Sequence, residues 1–456
     1  MFHKLIHPIR IIPILALSIV LLGMYACTTK DSLPEPSNEE TTAKYTSSLP
    51  TSSFTPDLNA TNVPHQLGLT NQSSDGNRYV LGKGNLSNIP VDIPLNGKPI
   101  WVVALPIDDG SIWAVVLENG DVQGFFVSND DYSTVSLSSP SVSVGKPPVL
   151  TWEKDVFTVN PTLLFPSSQI THPIYINDGQ FPVYLSPKGT LIRENNNEYI
   201  HLDINALPDT RILVDENDRL LVLSSPSAEY SHGIVGDDFE ATGITLLAGS
   251  PTLEIVRELQ IPDGTVIEGI APIWSDLDSD GQREIIVTVS NASVGAQIIV
   301  LNEVGDIVAQ SEPIGLGYRW RHQIAVAPFG PNGEIELVSV LTPHIGGIVE
   351  FFQMVEDKLV LTAEINGFTS HVIRSRNLDM AVAGDFDGDG IVELLLPSND
   401  LASLGLIQRT QDGARVDIEI ELYGHLSSNI STVKFANGLL AVGIGLDSGF
   451  LRIWLP

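Results

Sequence analysis

A single cysteine, Cys27, in 456 residues excludes any disulfide within the chain. Positive charge is also scarce: 24 Lys and Arg stand against 55 Asp and Glu, a formal charge of −31. Nucleic acid demands a basic footprint and is excluded as a partner. So is a protein surface that docks by itself onto anionic lipid. The apolar run from Ile11 to Leu22 is short for a membrane helix and contains Pro13. No stretch of twelve or more residues combines helical periodicity with caps. Charged residues make up only 17% of the chain, so its bulk is not disordered. With 38 Gly and 30 Pro, many turns are favoured over long helices.

Residues 1–26 have the layout of a secretory signal: Lys4 and Arg10 first, then the apolar run, then small or neutral residues. Cys27 follows Ala26 directly, and Leu22-Gly23-Met24-Tyr25-Ala26-Cys27 resembles a bacterial lipobox. An exported protein has little use for one unpaired thiol, and lipidation of Cys27 explains it. The resemblance implies a lipoprotein anchored to the membrane through Cys27. Thr28, in place of Asp, implies outer-membrane sorting, facing the periplasm or the cell surface. Residues 27–64 are the lipidated cysteine and a linker rich in Ser, Thr, Pro and Glu. A segment of that composition cannot bury enough apolar surface to repay its ordering, so a flexible tether is expected.

From residue 65 to 456 short apolar runs recur: PIWVVAL (99–105), RLLVLSS (219–225), REIIVTV (283–289), IELVSVL (335–341) and VELLLP (392–397). They are rich in Val, Ile and Leu and bounded by Gly, Asp, Asn or Pro, which predicts an all-β domain of many short strands. Two segments repeat closely, DLDSDGQREIIV (276–287) and DFDGDGIVELLLP (385–397), each with the pattern D-x-D-x-D-G-x-x-E before an apolar strand. PFGPNGEIELVSV (328–340) lies between them and keeps the glycine, the acid and the strand. Starts at 276, 328 and 385 are 52 and 57 residues apart, a period that suits propeller blades. At about 55 residues per blade, residues 65–456 predict a β-propeller of seven four-stranded blades.

These acidic segments, GDFDGDGIVELLLP above all, resemble the FG-GAP/VCBS repeat of integrin-type β-propellers. The resemblance implies calcium in the loops entering certain strands. Asp276, Asp278 and Asp280 offer carboxylates at positions 1, 3 and 5, Gln282 a carbonyl, and Glu284 a carboxylate at position 9. Asp385, Asp387, Asp389, Ile391 and Glu393 repeat the set, so about two calcium ions are expected. Gly281 and Gly390 stand at position 6, where a sharp turn favours a residue without Cβ. The loop with Pro328, Gly330 and Asn332 lacks the ligands and is expected to be a plain turn.

Cationic and aromatic residues gather just before the repeat strands: Arg319, Trp320, Arg321, His322, His344, His371, Arg374 and Arg376. Arginine suits bidentate binding of carboxylate or phosphate, so an anionic-ligand pocket is one expectation. Pairing of these arginines with neighbouring acids, with Trp320 packed between blades, is the other. His172, His201, His232 and His425 read as turn or interface residues. No nucleophile elbow, zinc-protease helix or phosphate loop is present, and no catalytic residue is assigned. The function expected is that of a calcium-stabilised, membrane-anchored binding module, monomeric, with a protein or glycan partner. The alternatives are an envelope enzyme acting on an anionic saccharide or small acid through the Arg/His cluster, and an envelope assembly accessory.

Overall fold

Runs such as Glu284–Asn291 have no polar alternation because both of their faces are buried. Ile285, Val287 and Val289 point into one apolar cluster, and Ile286 points into the next. Successive side chains of a strand leave on opposite sides, so such a run must be sandwiched between two sheets. The computed structural model describes residues 67–456 apart from 71–72, 130, 139–141, 154–155, 178, 196–197, 231, 316 and 318. The signal segment, Cys27 and the linker lie outside the described residues.

The described strands pair into six sheets, one of them of 13 strands; that one divides into three successive antiparallel groups, and the resulting eight groups are numbered as blades. Blade 1 holds Pro99–Ile107, Gly110–Leu117, Val122–Ser128 and Asp131–Thr134. Blade 2 holds Leu150–Glu153 and Val156–Val159, with Leu67–Gly68 added from the N-terminal side. Blade 3 runs from Ile174–Ile176 to Glu198–Asp203, and blade 4 from Leu213–Val214 to Glu254–Gln260. Blade 5 runs from Ile273–Ser275 to Ile307–Gln310, blade 6 from Arg321–Ala327 to Lys358–Asn366, and blade 7 from Val382–Asp385 to Gly413–Glu421. Blade 8 contains Leu426–Lys434, Leu440–Leu446 and Phe450–Trp454, and is completed by Val91–Pro94.

Seven apolar clusters join blade 1 to 2, 3 to 4, 4 to 5, 5 to 6, 6 to 7, 7 to 8 and 8 back to 1. The chain is therefore a β-propeller, closed where Ile93 of the N-terminal strand pairs with Leu451 near the C-terminus. Closure leaves no long inner edge to recruit another chain. Seven blades were expected from the repeat length; the described strands fall into eight groups. First strands begin 24 to 61 residues apart, and the acidic repeats sample only the longer spacings. Blade 2, with three strands, also departs from the four-stranded expectation.

Packing across these interfaces is tight. A Cβ added at Gly443 of blade 8 would lie 2.2 Å from the ring of Trp113, which is fully buried in blade 1. Gly443→Ala is expected to cost about 1–3 kcal/mol through overpacking, read as a lower urea midpoint at unchanged slope.

The segment before the closing strand crosses one face of the ring. Ser74 O accepts from Val214 N of blade 4 at 2.8 Å, and Asp75 O from Trp274 N of blade 5 at 2.9 Å. Asn77 clamps Val326 of blade 6 in both directions, at 2.8 and 3.0 Å. Arg78 O accepts from Ala383 N of blade 7 at 2.7 Å, and Lys83 N donates to Gly438 O of blade 8 at 2.9 Å. We call residues 74–86 the strap. It lies on the face that carries the loops between first and second strands.

Candidate functional site

Both acidic repeats lie on the strap face, each joining the first strand of its blade to the second. Glu284 pairs with Ser275, and Glu393 with Gly384, so the position-9 acid is held by the ladder beside the start of its loop. In each loop three carboxylates converge: Asp276, Asp278 and Glu284 in blade 5, and Asp385, Asp387 and Glu393 in blade 7. One oxygen from each lies within 4.8 Å of the others. Asp276 Oδ2 accepts from Gly281 N at 3.0 Å and Asp385 Oδ2 from Gly390 N at 3.1 Å, folding each loop around its first acid. Gly281 and Gly390 have φ of +87° and +92°, the conformation that position 6 was expected to need. Asp280 and Asp389 do not join the converging sets. Each accepts a 2.7 Å hydrogen bond from the N–H two residues on, that of Gln282 or Ile391, and fixes the turn.

The position-9 acids are electrostatically loaded. Burial, then the neighbouring aspartates, pushes the Glu284 carboxyl up to about 7 and that of Glu393 to about 8. Glu393 Oε2 accepts from Phe386 N at 3.0 Å, while Oε1 is buried with no hydrogen-bond partner. An orphaned buried oxygen among carboxylates fits a hard divalent cation, and the all-oxygen donor set is the kind calcium takes.

Blade 6 answers the same problem differently. Its position-9 acid, Glu336, receives Arg409 of blade 7, with Nε to Oε2 at 2.8 Å and Nη2 to Oε1 at 3.1 Å. Thr362 Oγ1 adds a third bond at 2.8 Å. Where positions 1, 3 and 5 are Pro328, Gly330 and Asn332, a guanidinium supplies the positive charge. Arg409→Met would leave Glu336 buried and unpaired, at an expected cost of about 3–5 kcal/mol whether calcium is present or chelated. The double variant with Glu336→Met should recover much of that loss in a urea titration.

On the opposite face the Arg/His residues separate into three groups. Trp320, His322, His344 and His371 come together: the indole stacks on His322 at 4.6 Å between centroids and meets His371 edge-on at 5.1 Å. His371 Nε2 lies 2.6 Å from Ser375 O and so carries the proton, which leaves Nδ1 to accept from His344 Nε2 at 2.7 Å. Burial pushes His344 down to about 4 and His371 to about 3, and holds His322 well below its ordinary value. These imidazoles are neutral at pH 7 and bring no positive charge for an anion. Arg321 is held by Glu350 at 2.8 Å, and Arg376 by Asp209 at 2.9 Å and Asp237 at 2.5 Å. Arg319 and Arg374 stand exposed.

Glu240, Glu268 and Asp379 were not singled out in the sequence. His232, read from the sequence as a turn or interface residue, bonds through Nδ1 to the buried carboxylate of Glu268, which also receives Ser290. Neighbouring Glu240 is pushed up to about 9, by burial first and by Glu268 second. In the ring's interior Asp379 meets Arg78 Nε and Arg211 Nη2 at 2.9 and 2.5 Å. His172, driven down to about 4 chiefly by burial, lies beside that triad.

No family model matches the chain, and no curated protein matches it. Among solved structures it is similar to the C-terminal WD40 domain of Sif2, at 9% identity and a TM-score of 0.48, covering 83% of this chain and 100% of that one. BBS1N in its complex with ARL6DN is similar at 11% identity and a TM-score of 0.43, covering 81% of this chain and 97% of that one. Raptor from Chaetomium thermophilum is similar at 11% identity and a TM-score of 0.41, covering 84% of this chain and 29% of that one. The fold assignment rests on the strand pairing.

Proposed function

We propose that this β-propeller is a calcium-stabilised binding module, held at a bacterial envelope by lipid on Cys27 and working through a partner rather than by catalysis. One observation carries the calcium reading. Position-9 glutamates recur in blades 5, 6 and 7, and the one without an aspartate set is the one that meets an arginine. In blades 5 and 7 a bound cation would do what Arg409 does in blade 6. Asp276, Asp278 and Glu284 would hold one ion, and Asp385, Asp387 and Glu393 the other. Bound there, calcium neutralises converging carboxylates and ties two strands of a blade together.

The binding reading draws on the face opposite the strap. Phe239, Ile345, Val372 and Ile373 are exposed there on three loops. Arg374 N donates to Ile234 O at 2.8 Å, and His344 bonds His371, so those loops form one connected surface. Grouped exposed apolar side chains mark interaction surfaces. A protein or glycan partner suits that face, with residues 27–64 as the tether of a monomeric outer-membrane lipoprotein. The enzyme alternative loses support, because Arg321 and Arg376 are committed to carboxylates and the clustered histidines are packed and neutral.

Metal counting on the purified full chain, combined with thermal unfolding in calcium and in EDTA, tests the calcium reading. About two calcium ions per chain and a lower melting temperature in EDTA are expected. A chain free of divalent metal and indifferent to EDTA would overturn it.

A further inference from the structure

We infer that the strap is the element calcium controls: metal occupancy of the two acidic loops decides whether the two ends of residues 74–86 stay seated on the propeller. This inference rests on the calcium reading above and adds a regulated element to it. Both ends of the strap are fastened to the residues that build the candidate sites. Gly84 N donates to Asp385 O at 2.7 Å, and Leu86 N to Phe386 O at 3.0 Å. Lys83 Nζ lies 3.9 Å from Asp385 Oδ2 and 3.5 Å from Gly388 O. Asp385 thus gives its carboxylate to the acidic set and its carbonyl to the strap. At the other end Asp75 Oδ2 accepts from Arg283 Nη1 at 2.9 Å, and Arg283 immediately precedes Glu284. Asp75 O accepts from Trp274 N, two residues before Asp276.

The middle of the strap is fastened elsewhere. Asn77 grips Val326 of blade 6, whose acidic position is satisfied by Arg409 and needs no ion. Without metal nothing bridges the three carboxyl groups that converge within 4.8 Å, and the loop is free to spread. Spreading moves Asp385, Phe386 and the Trp274–Arg283 pair, which are the fastenings of the strap ends. Reciprocity then requires that loosening the strap weaken calcium binding.

Hydrogen–deuterium exchange on the full chain, in excess calcium and in EDTA, tests the coupling. The amides of Gly84 and Leu86 should exchange about 10-fold faster in EDTA, while that of Val326 changes little. In Gly84→Ala a Cβ would lie 3.1 Å from the Phe386 backbone. This variant should weaken one of the two calcium-binding events by about 10-fold in a calorimetric titration and leave the other unchanged. If calcium binds and raises the melting temperature, but Gly84 and Leu86 exchange alike in both buffers and Gly84→Ala titrates as wild type, the coupling is overturned and the calcium reading stands. Equal acceleration at Val326 would also overturn it, because that is global loosening. A chain that takes up no calcium overturns both.

Discussion

In EDTA the protein should unfold about 6 °C below its melting temperature in calcium. A site held at a hundredfold excess of ligand over Kd stabilises the folded state by about 2.7 kcal/mol, so two sites contribute about 5. Unfolding entropy near 2 cal/mol/K per residue, over a folded region of this length, converts that into about 6 °C. A more specific result is expected from Glu393→Gln. In calcium the variant loses a charged ligand and should melt below wild type. In EDTA it lacks a buried carboxylate that burial and Asp387, Asp389 and Asp385 push up to about 8. It should then melt level with wild type or above it. This reversal of order between the two buffers separates a metal ligand from a merely structural glutamate, which would be destabilising to replace in both. Identical ordering in both buffers would remove the calcium reading at blade 7.

The strands were legible because blades stand face to face, so the apolar signal along each strand is continuous and bounded by turn residues. The acidic loops were legible because converging carboxylates need particular residue types at fixed offsets. Asp280 and Asp389 fit the same offsets and also cap their turns, each accepting from the N–H two residues on. Blade number was hidden for topological reasons. Blade 2 borrows Leu67–Gly68, blade 8 borrows Val91–Pro94, and outer strands such as Glu254–Gln260 are mostly exposed and polar. The Arg/His cluster shows the limit of local alignment. Arg319 and Arg376 occupy equivalent places ahead of their strands, yet one is exposed. The other meets Asp209 and Asp237, 167 and 139 residues away in sequence. Only the closed ring brings those acids to it. Asp379 was overlooked for the same reason, because its partners Arg78 and Arg211 come from the strap and from blade 4.

Asp379→Asn should be among the most damaging single changes in the molecule, costing about 3–5 kcal/mol at neutral pH. Arg78, Arg211 and Asp379 are almost fully buried, so the carboxylate is the counter-charge of two guanidiniums that water does not reach. Arg78 Nε donates a well-directed bond to Oδ1. Arg211 Nη2 is close to Oδ2 but off the hydrogen-bonding angle, so attraction there is chiefly Coulombic. An amide keeps the shape and removes the charge. The sign of the pH dependence follows from the lowered carboxyl. Although burial alone would raise it, Arg211 and Arg78 hold Asp379 down at about 2, below the ordinary value near 3.9 for an unfolded chain. Its stabilisation is therefore complete above about pH 4 and is lost as the pH falls through about 2. Urea midpoints of wild type and Asp379→Asn should differ most above pH 4 and draw together towards pH 2. Replacing all three residues by methionine should be far milder than Asp379→Asn, because the desolvation cost disappears along with the attraction. A loss under about 1 kcal/mol for the single variant would mean that water reaches the guanidiniums. The Arg78 side chain would then cease to pin the middle of the strap, which would be held there by the Asn77 clamp and the backbone bond of Arg78 O to Ala383 N.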